Sequence, residues 1–193
     1  MRLFNADGSE ADMCGNGLRC LAAFANICGT IETNHYIHQT NIDGNFVTTT
    51  MAPAHSIHWN QTLEGHTFHQ LNTGVPHIVL FVDDIDTFPL DNIGPHLRHH
   101  DHFSPEGTNV NIVHIQEKDL FIRTWERGVE RETLACGTGS TAAALAAARI
   151  YGLPSPISVH VKGGHTLKIA FNDDFTEVTQ TGPTKKVDLS AAS

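Results

Sequence analysis

Long apolar runs are missing from this 193-residue chain, and so is a signal-peptide pattern at its start. No stretch approaches the roughly 20 apolar residues of a membrane span. Basic residues are few: Lys+Arg 12 against Asp+Glu 21, a formal net charge of −9, which disfavours nonspecific binding to nucleic acid or to an anionic membrane. Cysteine is scarce. The four, Cys14, Cys20, Cys28 and Cys136, fall as a cluster of three and a distant one, which fits neither a disulfide framework nor a C-x-x-C metal site. A phosphate-cradling loop and a pyridoxal-lysine signature are also absent. With 40% hydrophobic and 17% charged residues, the balance is that of a globular protein. The expectation is a cytoplasmic protein with reduced thiols.

What the chain does have is one turn used twice. Ala135-Cys136-Gly137-Thr138-Gly139-Ser140-Thr141 runs into the alanine-rich stretch 142–149, and Met13-Cys14-Gly15-Asn16-Gly17-Leu18-Arg19 runs into helix formers over 20–25. Each reads as a tight turn feeding a helix. A thiol at that place faces unpaired backbone N–H groups and the positive end of the helix dipole, which favour the thiolate. A glutamate stands four residues before each cysteine, Glu10 and Glu132. The matched turns predict one active site with two facing cysteines. Cys20 and Cys28, within or just after the first helix, are expected to be buried and inert.

Along the chain, the spacing predicts a helix over 14–27 that stops at Gly29. Asp43-Gly44, between 36–40 and 45–51, predicts a β-hairpin. Residues 53–64 are polar with isolated apolar positions and read as a connection between lobes. The run 78–82 reads as a strand buried on both faces. A short helix is expected over 90–102, with His96, His99, His100 and His102 on a solvated face in preference to a metal site. Strands are expected at 110–116, 120–126, 157–161, 166–170 and 178–180. Turn, cysteine, helix and hairpin recur in the same order in both halves. The expected fold is α+β: two pseudo-symmetric lobes, each a mixed or antiparallel sheet around a central helix. The lobes are expected over 1–64 and 65–193, the last residues returning to the first lobe, with a cleft between.

Two thiols on opposite sides of one carbon can remove a proton from one face and return it to the other, inverting a stereocentre. One must be a thiolate while the other is protonated, so their titrations are coupled. The α-proton of an amino acid is a very weak acid, so the developing carbanion has to be stabilised. Backbone N–H groups of Gly15-Asn16 and Gly137-Thr138, at two helix starts, suit the α-carboxylate. Such chemistry needs no cofactor and no metal.

Phe4-Asn5-Ala6-Asp7-Gly8-Ser9-Glu10 with Met13-Cys14-Gly15-Asn16-Gly17 resembles the diaminopimelate epimerase family. So do Trp125-Glu126-Arg127-Gly128 and Glu132-Thr133-Leu134-Ala135-Cys136-Gly137-Thr138-Gly139, and the similarity continues through Gly74-Val75-Pro76-His77, Gly107-Thr108-Asn109 and Thr181-Gly182-Pro183. The resemblance implies a cofactor-independent epimerase acting on LL- and meso-diaminopimelate, on the route to lysine and peptidoglycan. It implies that Cys14 and Cys136 are the acid–base pair. Asn5, Asn109 and Arg127 would hold the distal end of the substrate, with Arg127 forking to its carboxylate. Asn16, Gly137 and Thr138 would hold the reacting carboxylate, and His77 and Glu126 would support the site. The family commonly dimerises, so a homodimer is compatible with the resemblance.

Two departures from the family pattern carry expectations. The family has a further segment ahead of Phe4; without it, an incomplete first lobe is expected, with an unpaired strand edge, exposed apolar surface and no activity of the chain alone. Val75 stands where many members have asparagine, a position that helps read the distal end. Rival readings are a broader-specificity amino-acid racemase acting, for example, on glutamate, a proline-racemase-like enzyme, an inactive remnant of the fold, and a metal- or redox-responsive binding protein using the histidines and thiols. Because a site that hydrogen-bonds its substrate rejects analogues lacking the partner group, Val75→Asn is expected to raise the ratio of rates on diaminopimelate and glutamate. A ratio unchanged in parallel assays of the two substrates would remove Val75 as a specificity position.

Overall fold

In the computed structural model, which describes residues 1–4, 8, 10, 11 and 13–186, strands account for most of the regular secondary structure. β1 (Leu3–Phe4) and β2 (Glu10–Ala11) form a short antiparallel ribbon leading into α1 (Gly15–Ala25). β3 (Gly29–Glu32), β4 (Ile37–Asp43) and β5 (Phe46–Thr50) follow as an antiparallel meander, and β6 (His55–Leu63), β7 (His66–Asn72) and β8 (Pro76–Phe81) as another. α2 (Leu90–Arg98) crosses to β9 (Asn109–Gln116), which turns into β10 (Asp119–Glu126), and β11 (Arg131–Thr133) pairs back on β10. α3 (Gly137–Tyr151) then crosses to β12 (Ile157–Val161), β13 (Thr166–Phe171) and β14 (Val178–Pro183).

Outside the β1–β2 ribbon the strands form one sheet in the order β3-β4-β5-β14-β13-β12-β10-β9-β8-β7-β6, with β11 off the path on β10. Only the β8–β9 and β10–β12 pairs are parallel, and these are the pairs bridged by α2 and α3, since parallel neighbours need a crossover. The α+β class is as expected. β14 lies between β5 and β13, so the last strand joins the strands that follow α1 to those that follow α3.

α3 is enclosed on every side over 137–147. Ala142, Ala143, Ala144, Leu145, Ala146 and Ala147 are all fully buried, because β8, β9, β10, β12 and β13 all pack against it. A stretch enclosed this way has no solvent-facing stripe, and alanine lets the strands approach closely. α2 covers the other side of the sheet with Leu90 and Leu97 against Phe68, Ile78, Leu80 and Ile112. A Cβ at Gly94 would lie 2.9 Å from Trp125, so α2 can rest on the indole only at a glycine.

Several expectations are corrected. Cys20 and Cys28 are exposed: α1 buries Gly15, Leu18, Arg19 and Ala22, and helical spacing turns Cys20 to the opposite face. The left-handed cap that ends α1 is Asn26 (φ 52°), whose N–H reaches the carbonyls of Ala22 and Ala23, while Gly29 already belongs to β3. Residues 53–64 are no connection. They hold β6, whose register shifts twice, with Ser56 and Asn60 at positive φ, so the period-two pattern is broken. The β6–β7 hairpin also spans the expected division between 64 and 65. The helix expected over 90–102 ends at Arg98 and gives way to a single 3-10 turn, Asp101–Phe103, capped by the His100 side chain. Phe24, Ile37 and Phe46 are exposed apolar residues, and β3 and β6 are the two ends of the sheet path.

Because Leu145 is the one bulky side chain in the buried alanine run, Leu145→Ala leaves a cavity that the strands around α3 cannot close. A loss of about 2–5 kcal/mol is expected, to be read from urea unfolding midpoints.

Candidate active site

Both cysteines are helix N-caps. Cys14 (φ −144°, ψ 105°) and Cys136 (φ −118°, ψ 112°) have extended backbones, and each Sγ accepts from the N–H three residues on: Gly17 to Cys14 at 3.3 Å, Gly139 to Cys136 at 3.4 Å. A capping side chain satisfies one of the N–H groups that the first helical turn leaves without an acceptor. The glycines of the two Cys-Gly-x-Gly turns have a steric reason. A Cβ on Gly139 would run into Asn111 Oδ1, and one on Gly17 would lie 3.1 Å from Leu3.

The two helix starts meet. A Cβ built on Gly15 would lie 3.5 Å from the Gly137 Cα, and one on Gly137 would lie 3.3 Å from the Gly15 Cα. The first-turn N–H groups of α1 and α3 therefore come together at one place, with the positive ends of both helices. Beside them opens a cavity of about 310 Å³ lined by Cys136, Thr138, Val75, Asn109, Glu126 and Arg127, among others. The expected site residues Cys14, Gly15, Asn16 and Gly137 stand at the converging helix ends. Asn5 lies outside the described residues.

Of the three asparagines expected to touch a ligand, the two described ones are already engaged. Asn109 Nδ2 donates to the Pro76 carbonyl at 2.8 Å, and its Oδ1 accepts from the Arg127 N–H at 2.8 Å, so Asn109 fixes the backbone that carries Arg127. Asn16 Nδ2 donates to the Ala135 carbonyl at 3.0 Å, and its Oδ1 accepts from Arg19 at 2.6 Å. Asn16 therefore offers a ligand its backbone N–H. The matched glutamates are structural: Glu10 accepts from Arg2 Nε and Nη2 at 2.9 and 2.8 Å, and Glu132 from Arg123 Nε and Nη2 at 2.9 and 3.1 Å. Each pair staples the two-stranded ribbon that precedes a cysteine. Arg2, with Asn34, holds the Glu10 carboxyl down at about 2.

The electrostatics of Cys136 correct a simple dipole argument. Burial pushes this thiol up to about 12, and the Glu126 carboxylate and Cys14 push the same way, against the Thr138 hydroxyl and the Gly139 N–H. Cys136 is held as a protonated thiol. Glu126 is itself raised by burial. Cys14 is partly exposed and Cys136 buried, so the two thiols occupy unlike surroundings in matched turns.

Behind Cys136 runs a polar chain of which only the end residue, His77, was visible in the sequence. Thr124 Oγ1 donates to Asn111 Oδ1 at 3.0 Å; Asn111 Nδ2 donates to the Ile78 carbonyl at 2.8 Å and to His77 Nδ1 at 3.1 Å. An accepting Nδ1 leaves the proton on Nε2. His77 is fully buried, and burial, with Arg127 adding to it, lowers it to about 3. Thr73 Oγ1 donates to the Thr138 carbonyl at 2.9 Å, tying the β7–β8 turn to α3. Gln180, fully buried on β14, also reaches α3. Asn111, Thr73 and Gln180 carry no motif of their own; for Asn111 and Gln180, inward placement on a strand was the one signal. The histidines of the α2 region stay outside: His96 meets Glu64 at 2.6 Å and His99 meets Glu130 at 3.2 Å, both exposed.

Comparison with known proteins gives the same direction. The family model described as Diaminopimelate epimerase matches residues 70–187. The chain is 42% identical to the diaminopimelate epimerase of Hydrogenobaculum sp., over 95% of this chain and 71% of that protein. It is 39% identical to that of Aquifex aeolicus, again over 95% and 71%. Among solved structures, a hydroxyproline epimerase from Agrobacterium vitis superposes with a TM-score of 0.69 at 18% identity, over 94% of this chain and 66% of that one; at that identity the likeness is one of fold.

His77 makes a prediction about acid stability. The folded protein binds this proton less tightly than the unfolded chain does, so the contribution of His77 is full above 6.5 and is lost as the pH falls toward about 3. The slope is about 1.4 kcal/mol per pH unit over that window. Urea midpoints measured from about pH 7 to about pH 4.5 are expected to fall less steeply in His77→Gln than in the parent. Equal slopes would show that the imidazole is not held neutral.

Proposed function

Because the chain belongs to the diaminopimelate epimerase family, we propose that it interconverts LL- and meso-diaminopimelate by passing the α-proton between Cys14 and Cys136. The observation that carries this reading is the meeting of two thiol-capped helix starts, glycine against glycine, beside a cavity lined by Arg127 and Glu126. In the direction in which Cys136 gives up its proton, Cys14 is the base. The α-C–H bond breaks as the Cys14 S–H bond forms. The Cys136 S–H bond breaks as a new C–H bond forms on the opposite face. The result is inversion, with the proton inventory of the two thiols exchanged; the reverse reaction starts from the opposite protonation state.

The negative charge that develops on the carboxylate falls to the N–H groups of Gly15, Asn16, Gly137 and Thr138, where two helix ends add their fields. Fixed donors of this kind need no reorganisation as the charge appears. In this reading Arg127, whose backbone is set by Asn109 and which lines the cavity, forks to the distal carboxylate. Burial of Cys136 serves the same step: a thiol that resists ionisation keeps its proton until the carbanion on the other side takes it. Val75, in the cavity wall, presents no hydrogen-bonding group to the distal end, which supports a second, wider reading that includes other acidic amino acids.

The test is α-proton exchange of LL-diaminopimelate in D₂O, followed by NMR with reductant and without pyridoxal phosphate. Cys14→Ala and Cys136→Ala are each expected to lower exchange by about 10²–10⁴-fold. Exchange at the parent rate in either variant, or none in a folded parent sample, would overturn the reading.

A further inference from the structure

We propose that Arg19 is a positioning residue: its guanidinium, acting through Gln180 and Asn16, holds the first turns of α1 and α3 in one fixed register. The inference deepens the two-thiol reading and rests on it for its kinetic arm.

Arg19 sits one turn into α1, on the buried stripe with Gly15, Leu18 and Ala22, and is only 3% exposed. A buried guanidinium is costly unless its donors are met; among the described residues Nη1 and Nη2 meet neutral amides, while the buried Nε has no hydrogen-bond partner. It donates to Gln180 Oε1 through Nη1 and to Asn16 Oδ1 through Nη2, the latter at 2.6 Å. Both amides then reach across to the other cysteine turn. Gln180 Nε2 donates to the Gly137 carbonyl at 2.7 Å and to Thr141 Oγ1 at 3.2 Å. Asn16 Nδ2 donates to the carbonyl of Ala135, the residue before Cys136, at 3.0 Å. One guanidinium on the first helix thus sends two bridges to the second cysteine turn, one to each side of Cys136.

The surrounding glycines leave no slack. A Cβ on Gly182 would lie 2.9 Å from Arg19 Nε, and Cβ atoms on Gly15 and Gly137 would lie 3.0 and 2.9 Å from Gln180 Oε1. Backbone closes around the bridge on three sides. The clamp fixes how far apart two thiols stand that are remote in sequence, which is what proton transfer across a single carbon requires.

Lysine at this position keeps the charge but lacks the planar fork that meets two amides at once, and Gln180→Leu cuts the bridge while leaving Arg19 in place. For Arg19→Lys and Gln180→Leu, each checked for a cooperative thermal transition, the first readout uses no substrate. It is the rate at which diamide joins Cys14 to Cys136, divided by the alkylation rate of each thiol. This ratio is expected to fall about tenfold or more, because misplacement by about 1 Å costs up to ~100-fold in reacting geometry. The second is kinetic: kcat on LL-diaminopimelate is expected to fall about tenfold with KM changed less than about twofold, the signature of an interaction felt in the transition state. Parent-like coupling ratios in the folded variants would overturn the proposal, and if one variant fails to fold the other decides. Absence of turnover in the parent would count against the proposed reaction alone, since the thiol-coupling arm still reports on Arg19.

Discussion

The close approach of Gly15 to Gly137 is the constraint on which the rest depends. Two helices can bring their positive ends together only if no side chain stands between the first residues, and the Cβ positions at this contact are occupied by neighbouring backbone and by Gln180. Once the ends meet, their first-turn N–H groups form one anion-binding surface in place of two. The thiols, each fixed as an N-cap by the N–H three residues on, are carried along with the two helix starts. The Cys-Gly-x-Gly pattern is therefore a geometric statement: cysteine to cap, glycine to touch, glycine to let the capping N–H reach sulfur.

Burial then separates what the duplicated turns make alike. α3 is enclosed by strands and α1 only half covered, so Cys136 loses water while Cys14 keeps some. Desolvation outweighs the helix dipole at Cys136, because removing a thiolate from water costs more than a partial charge at one helix end returns. A symmetric pair of thiols would each be part-ionised at the same pH. Unequal enclosure favours the proton on the buried side, the state that the proposed two-thiol reaction requires.

The parts of the site that were legible in the sequence are those fixed by local chain geometry. Capping turns, their glycines and the helices behind them follow from residues within one turn of each other, so both cysteines could be placed without a structure. Long-range insertion was hidden. Gln180 matters only because β14 lies between β5 and β13; the expected return of the last residues to the first lobe did not single out which of their side chains meets the helix starts. Cys20 was misjudged for a related reason, since the covered face of a helix depends on which strands arrive beside it. In β6, the positive-φ residues Ser56 and Asn60 interrupt the alternation that would mark a strand.

The duplicated ribbons extend the argument to the residues ahead of each cysteine. In both halves an arginine and a glutamate make a two-point contact across the ribbon, Arg2, just ahead of β1, with Glu10 on β2, and Arg123 on β10 with Glu132 on β11. Exposed ion pairs of this kind add little stability, and the Arg2–Glu10 pair is exposed. Their consistent geometry has another use. A two-point contact between strands sets the direction in which the chain leaves the ribbon, and four residues later that direction becomes the capping cysteine. Ribbon, cap and glycine contact thus act in series, each limiting the freedom of the next, and Arg19 closes the series by binding the two copies to each other.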